Sequence, residues 1–237
     1  GYVAKGRMEE PMQILPVINK FFTQQKNVVK SSFSGKRALV TAGPTVEVID
    51  PVRYVSNRSS GKMGYAIAEA LRDKGAIVTL ISGPTHLSLP EGINVVKVES
   101  ADDMFQAVTE RFAKQDIVIK AAAVSDYTPM DILEHKLKKQ EGGLSVQFKR
   151  TKDILKYLGE NKTHQYLVGF AAETQNIEQY ALDKLKRKNA DVIISNNVGD
   201  TSIGFSSDDN ELTMHFKNNE KVNIKKGKKS ALAHQII

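Results

Sequence analysis

The sequence predicts an α/β fold: a Rossmann-like, mainly parallel sheet flanked by helices, with a C-terminal β-hairpin extension. Two observations predict it. From Arg37 onward, short β-branched runs alternate with amphipathic helical stretches, the pattern of a parallel sheet with helical crossovers. Near the end, "ELTMHFKNNEKVNIK" alternates apolar and polar residues on either side of a polar turn, which reads as a hairpin.

The elements follow in order. Residues 1–36 carry no strand signal; an apolar stretch, "PMQILPVINKFF", runs into the polar "TQQKNVVKSSFSGK", a tail and linker ahead of one domain over 37–237. The first strand is "RALVTAG". After a long loop comes the helix "GKMGYAIAEALRDKG", in which Met63, Ala66, Ile67, Ala70 and Leu71 recur at helical spacing. Gly75 ends it. The strands "AIVTLISGP" and "INVVKVES" follow, and Ser100 is placed to cap the helix "ADDMFQAVTERFAKQ". Next, "DIVIKAAAVSDY" is a strand running into a loop, "LSVQFKR" a short strand and "KDILKYLGEN" a helix. The strand "YLVGFAAET", the helix "NIEQYALDKLKRKNA" and the strand "DVIISNN" complete the alternation, and "KSALAHQII" starts a helix after the hairpin.

Composition bounds the function. With 41% hydrophobic and 26% charged residues and no apolar run near the ~18–20 residues of a membrane span, no membrane association is expected. There is no cysteine and no basic segment leading into an apolar one, so neither disulfides nor secretion is expected; a cytoplasmic enzyme fits. The net charge of +7 predicts an anionic partner, such as a nucleotide or phosphorylated metabolite. Nucleic acid is not expected, because aromatics are 7% and tryptophan is absent, leaving few stacking platforms.

In such a sheet ligands collect at the carboxyl ends of the strands, and three loops there are unusual. The first, "TAGPTVEVIDPVRYVSNRSSGKMG", is far longer than most strand-to-helix connections, and long loops tend to be functional. It is not a Walker loop, since Met63 follows Gly61-Lys62. Nor does it hold a tight dinucleotide turn, because Gly43 is separated from Gly61 and Gly64. What remains is a candidate phosphate loop, Gly43 with Ser59, Ser60 and Gly61, where a helix start offers free N–H groups; the alternative is that Ser59 or Ser60 merely caps the helix.

The second loop, "AAAVSDYTPMDILEHKLKKQ", sets Asp126 past a strand end, where a carboxylate can hold a metal or a ribose hydroxyl. It also carries Lys136, Lys138 and Lys139, which could neutralise a triphosphate or form a solvated surface run. The third opens with "GFAAET", and the helix behind it places Tyr180, Lys184 and Lys188 on one stripe, able to neutralise phosphate or simply exposed. A fourth polar loop contains Gly204-Phe205, a lid or a turn. The five histidines show no metal spacing, and no G-x-S-x-G elbow occurs, so zinc and serine-hydrolase chemistry are not expected.

Taken together, "TAGPTVEVIDPVRYVSNRSSGKMG", "AAAVSDY", "KLKK", "GFAAET" and "LKRKNADVIISN", in this order, resemble the bacterial phosphopantothenate-cysteine ligase family, the phosphopantothenoylcysteine synthetases, over about residues 36–237. The tail "GYVAKGRMEEP" resembles the last residues of the flavin-dependent decarboxylase fused ahead of the ligase in many bacteria. The resemblance implies a homodimeric half of a bifunctional coenzyme A enzyme that uses CTP and Mg2+, with no FMN expected in this half. It implies that 4'-phosphopantothenate is activated as an acyl-cytidylate and that cysteine displaces CMP.

By motif position, the resemblance implies that Lys136 binds the triphosphate and that Asn57 orients the acyl-cytidylate. It places Asp126, Phe170, Lys184 and Lys188 at nucleotide contacts. A further contact segment reads "TKDI" here where many relatives have Asn-Pro-Asp-Ile, so only Asp153 and Ile154 carry over. Arg53 is a candidate for the substrate phosphate or carboxylate, from its charge and its place in the same loop. The alternative from another class is a nicotinamide-dependent reductase, for which Tyr180 and Lys184 have the right spacing and the glycines do not.

Overall fold

The computed structural model describes residues 14–17, 32–139, 143–173, 175–197 and 208–237. Most of the expected tail, and the Gly204-Phe205 loop, lie outside the described residues. Strand β1 (Arg37–Ala42) leads into a small hairpin, β2 (Val46–Val48) and β3 (Tyr54–Ser56), before helix α1 (Lys62–Asp73). Then come β4 (Ile77–Ser82), β5 (Asn94–Lys97), α2 (Ala101–Phe112) and β6 (Ile117–Lys120). A second hairpin-like pair, β7 (Tyr127–Pro129) and β8 (Phe148–Arg150), precedes α3 (Ile154–Asn161), β9 (Tyr166–Glu173), α4 (Ile177–Arg187) and β10 (Val192–Asn197). The chain closes with β11 (Asp209–Phe216), β12 (Lys221–Lys228) and α5 (Lys229–Ile236).

Eight strands form one sheet in the order β12-β11-β10-β9-β6-β1-β4-β5. Strands β5, β4, β1, β6, β9 and β10 run parallel, and β11 and β12 add an antiparallel edge. The parallel strands therefore follow the doubly wound order that reverses direction between β1 and β6, where a crevice opens at the carboxyl ends. This is the expected Rossmann-like sheet with its hairpin extension. The expected short strand "LSVQFKR" is present as β8, whereas β2, β3 and β7 were not foreseen, since three-residue strands are too short for an alternation signal.

Alternation along the strands sends side chains to two cores. Val40, Leu80, Ile119 and Ile194 face Ile67 and Leu71 of α1 and Leu232 of α5, whereas Leu39, Ile81, Val118 and Ile193 face Met104, Leu158 and Leu185 of α2, α3 and α4. The Ser100 cap forms as a full box: its side chain accepts from the Asp103 N–H while the Asp103 carboxylate accepts from the Ser100 N–H. In α1 the buried stripe is turned slightly from the expected one. Gly64, Tyr65 and Ala68 are buried with Ile67, Ala70 and Leu71, while Met63 and Ala66 are half-buried.

Gly64 explains the turn. A Cβ on it would lie 2.6 Å from the Ala42 Cβ and 3.0 Å from the Thr41 carbonyl oxygen, so α1 sits directly on the end of β1. Gly64→Ala is expected to cost about 1–3 kcal/mol, the usual penalty of overpacking, seen as a lower denaturant midpoint with an unchanged slope. His215 supplies a pH test. Its imidazole is buried against Ser195, with Nε2 2.9 Å from Oγ, and that burial lowers its pKa. The unfolded chain therefore binds a proton that the folded chain refuses, and stability is lost as pH falls below about 6.5. His215→Gln is expected to flatten urea midpoints measured between pH 7.5 and 5.5.

Candidate functional site

The connection from β1 to α1 is an ordered excursion. Gly43 and Gly61 both have left-handed backbones, with φ of 75° and 78°. A Cβ on Gly61 would lie 3.3 Å from the Gly43 nitrogen, so the chain leaves at Gly43 and returns beside it. Gly43, Gly61 and Gly64, separated in sequence, are thus assembled at one turn, the arrangement a dinucleotide fingerprint makes with contiguous residues. Gly61, not Ser59 or Ser60, is the residue before the helix, and it has no side chain with which to cap it. Ser59 instead accepts from the Gly61 N–H at 3.3 Å.

Each part of the excursion is tied down. Thr45 donates its N–H to the Ala123 carbonyl, and its Oγ1 accepts from the Ser125 N–H at 3.0 Å. Glu47, nearly fully buried, accepts from the Ala101 N–H at the start of α2, where the helix dipole favours its charge. Asp50 is 1% exposed and accepts four hydrogen bonds: Oδ1 from the Val52 and Arg53 N–H groups, Oδ2 from the Arg53 guanidinium and the Leu137 N–H. Burial disfavours its charge, but the three backbone donors and the Arg53 guanidinium outweigh this and hold its pKa below the ordinary carboxylate range.

Beyond the switch point lies a cavity of about 1010 Å³ at the carboxyl ends of β6 and β9, walled by α3 and α4. Asp126, Asp153, Ile154, Phe170, Lys184 and Lys188 all line it, with Tyr180. Its other charged walls are Lys120, Arg150, Lys152, Lys156 and Arg187, so cations far outnumber the carboxylates of Asp126 and Asp153. Asp153 caps α3 by accepting from the Lys156 N–H at 2.9 Å, and it is ion-paired with Lys188. Desolvation raises its pKa, but the Lys188 bond and the cap prevail and lower it. Lys184 donates to the Phe170 carbonyl at 2.8 Å, fixing strand to helix at the cavity wall. Lys152 turns away to Asp102 at 2.8 Å and lies over the Phe105 ring, while Thr151 donates to the Ser125 carbonyl. The Asp126 side chain is exposed.

Asn57, Arg53, Lys136 and the glycine turn do not line this cavity. Asn57 is exposed and donates to the Ala123 carbonyl at 3.0 Å. Arg53 is engaged by Asp50 at 2.9 Å and by the Leu137 carbonyl at 3.2 Å. Lys136 is exposed, and its neighbour Leu137 is held by both members of that pair. Among the described residues no group of three or more His, Cys, Asp or Glu is placed to hold a metal, and no helix is long and apolar enough to cross a membrane.

Sequence reasoning missed Lys120, Asp50 and Glu47. Lys120 was legible as a lysine ending the apolar run "IVIK"; the other two carried no signal, because a single acid in a polar loop reads as solvated.

A doubly wound α/β sheet with a basic crevice at its switch point defines a Rossmann-like α/β protein. Residues 33–237 match the DNA/pantothenate metabolism flavoprotein C-terminal domain, and the chain belongs to that family. It is 51% identical over 222 residues to the "Coenzyme A biosynthesis bifunctional protein CoaBC" of Bacillus subtilis, covering 93% of this chain and 54% of that protein. To the protein of the same name from Haemophilus influenzae it is 46% identical, with the same coverage. The chain thus spans about half the length of the curated relatives it matches. A solved structure, the C-terminal domain of a "Coenzyme A biosynthesis bifunctional protein CoaBC", superposes with a TM-score of 0.75 at 46% identity, covering 87% of this chain and 94% of that one.

Asp50→Asn tests the buried anchor. The amide keeps one acceptor oxygen but turns an NH2 toward two donors whichever way it is oriented, so part of the set must open. Faster deuterium exchange is expected at the Leu137 amide, with β1 unchanged; equal exchange in the two proteins would show that Asp50 does not hold this segment.

Proposed function

We propose that this chain joins cysteine to 4'-phosphopantothenate at the expense of CTP, giving 4'-phosphopantothenoylcysteine in coenzyme A biosynthesis. The observation that carries the reading is the cavity in which Asp126, Asp153, Ile154, Phe170, Lys184 and Lys188 meet under a strong excess of positive charge. The names of the two relatives described above, both coenzyme A biosynthesis proteins, support it.

A carboxylate resists attack because oxide would have to leave. Attack of the 4'-phosphopantothenate carboxylate on the CTP α-phosphorus expels pyrophosphate and leaves an acyl-cytidylate; the cysteine amine then attacks the acyl carbon, loses a proton and expels CMP. Both steps build negative charge on departing oxygens, so the protein's task is to neutralise phosphate and hold reactants in line, and no side-chain nucleophile is needed. Lys184 and Lys188 serve the nucleotide, Lys136 the triphosphate, and Asn57 the acyl-cytidylate. Arg53 positions the Lys136 segment through Leu137, with its remaining N–H groups available to the substrate phosphate or carboxylate. The Ser59, Ser60 and Gly61 turn offers backbone donors to a phosphate.

The donor set fits Mg2+ carried in on the nucleotide, since that ion usually keeps waters and phosphate ligands and takes only one or two protein carboxylates. Asp126 is the carboxylate that would face it, and the ion would supply further neutralisation of the leaving pyrophosphate. The enzyme acts as a cytoplasmic homodimer fused to a decarboxylase domain. The exposed apolar side chains of Val52, Tyr54, Met130 and Ile132 on the two excursions are the surface suited to a second copy. A nicotinamide reductase could draw on Tyr180 and Lys184, but NADPH is expected to support no turnover.

Pyrophosphate release on mixing protein, CTP, Mg2+ and 4'-phosphopantothenate tests the reading, with ATP a poor substitute; its absence would sink it. Lys136→Gln is expected to slow pyrophosphate release by about 100-fold or more, the scale of losing one charge-stabilising donor. Asn57→Asp should release pyrophosphate yet accumulate the acyl-cytidylate, visible by mass spectrometry; equal loss of both half-reactions would count against its assignment to the second.

A further inference from the structure

Lys120 is the last residue of β6 and belongs to none of the roles above. The alternation of the strand puts it on the side of Val118, facing α2, α3 and α4, and it is 7% exposed. Its ammonium donates to the Thr41 Oγ1 of β1 at 3.3 Å and lies 3.9 Å from the Met104 sulfur of α2. Among the described residues no carboxylate lies within salt-bridge distance of it. The charged groups that act on it are Asp153 at the start of α3 and Lys184 on α4, of opposite sign, and Asp126 and Lys188 line the same cavity. A lysine buried without a carboxylate partner is costly. Here the lysine lines the basic cavity at the switch point.

We propose that Lys120 is a further nucleotide-binding residue, a floor amine that takes up a proton as a phosphate-bearing ligand enters the cavity and so makes its affinity depend on pH. The inference rests on the reading of the cavity as a nucleotide site. Burial, first, and the neighbouring Lys184 lower the Lys120 pKa, against the pull of Asp153, to about 7. The empty cavity therefore meets its ligand with this lysine largely neutral at pH 8, and the arriving anion supplies the opposite charge that favours the ammonium.

Titration calorimetry of CTP binding, at pH 8 in buffers of different ionisation enthalpy, measures the protons taken up. At that pH the nucleotide phosphates are already ionised. About one proton per CTP is expected for the native chain, and affinity should weaken by up to about tenfold per pH unit between pH 8 and 9. Lys120→Met, which suits the space beside Met104, should bind with no proton uptake and a flatter pH dependence. Lys120→Arg should keep the charge and bind without uptake, so it separates charge from shape. Thermal unfolding of both variants shows whether they are folded. CTP binding with the same proton uptake in all three proteins would overturn the role of Lys120 and leave the nucleotide site standing. Failure of the native chain to bind CTP at all would overturn the nucleotide reading and this inference with it.

Discussion

Much of this molecule hangs on one close approach, the return of the chain at Gly61 to the backbone it left at Gly43. Neither position has room for a side chain: a Cβ on either would lie within 2.9 Å of the Thr85 methyl, and both backbones are left-handed. Because the two ends meet, α1 starts where it would start in an uninterrupted strand-turn-helix unit, and Gly64 can still seat it on Ala42. The excursion between them is consequently free to vary without disturbing the sheet. Loop closure over such a length costs little more than over a short one, and the hydrogen bonds of Thr45, Glu47 and Asp50 offset what it does cost.

The same constraint shapes the electrostatics. An excursion that stands over the carboxyl ends of the strands brings acids to places where backbone N–H groups are plentiful. Glu47 meets the start of α2, and Asp50 gathers three amides and a guanidinium. Negative charge is thereby consumed in holding loops, while Lys120, Lys156, Lys184 and Arg187 face the cavity beyond. The chain's overall excess of seven positive charges is therefore matched by a local excess where a ligand enters. Lys188 shows the two uses together, since it lines the cavity while its ion pair with Asp153 fixes the cap of α3.

The sheet was legible because its strands and helices are long enough for periodicity to show, and the Ser100 cap because its chemistry lies within four residues. Asp126, Asp153, Ile154, Phe170, Lys184 and Lys188 were legible as motif positions and are gathered into one cavity, whereas Lys136 lies outside its lining. What could not be read was contact across sequence distance. The glycines looked like a failed fingerprint because a chain of letters hides that residues 43 and 61 touch. Asp50 looked like an ordinary loop acid because its Leu137 donor is 87 positions away. Arg53 looked free for a substrate because its Leu137 partner is 84 positions away. Lys120 was visible as an odd end to an apolar strand, but its burial depends on Thr41 and Met104, which only the folded sheet brings near.

The segment from Ala121 to Asp126 is where these separate features become one site. Ala123 faces the excursion: its N–H donates to the Gly43 carbonyl, and its own carbonyl accepts from the Thr45 N–H and the Asn57 amide. Its neighbours Ala122, Val124, Ser125 and Asp126 face the cavity. A single stretch of backbone thus forms a partition, with the basic cavity on one side and, on the other, the excursion that carries Asn57 and Arg53. In the reaction proposed above, the acyl-cytidylate would span the two sides of this wall. A shift of the excursion would move Asn57 and Ala123 together, since the Asn57 amide donates to the Ala123 carbonyl. Gly43, at the root of the partition, is therefore as much a part of the site as any charged residue, although it contributes only a carbonyl oxygen and the absence of a side chain.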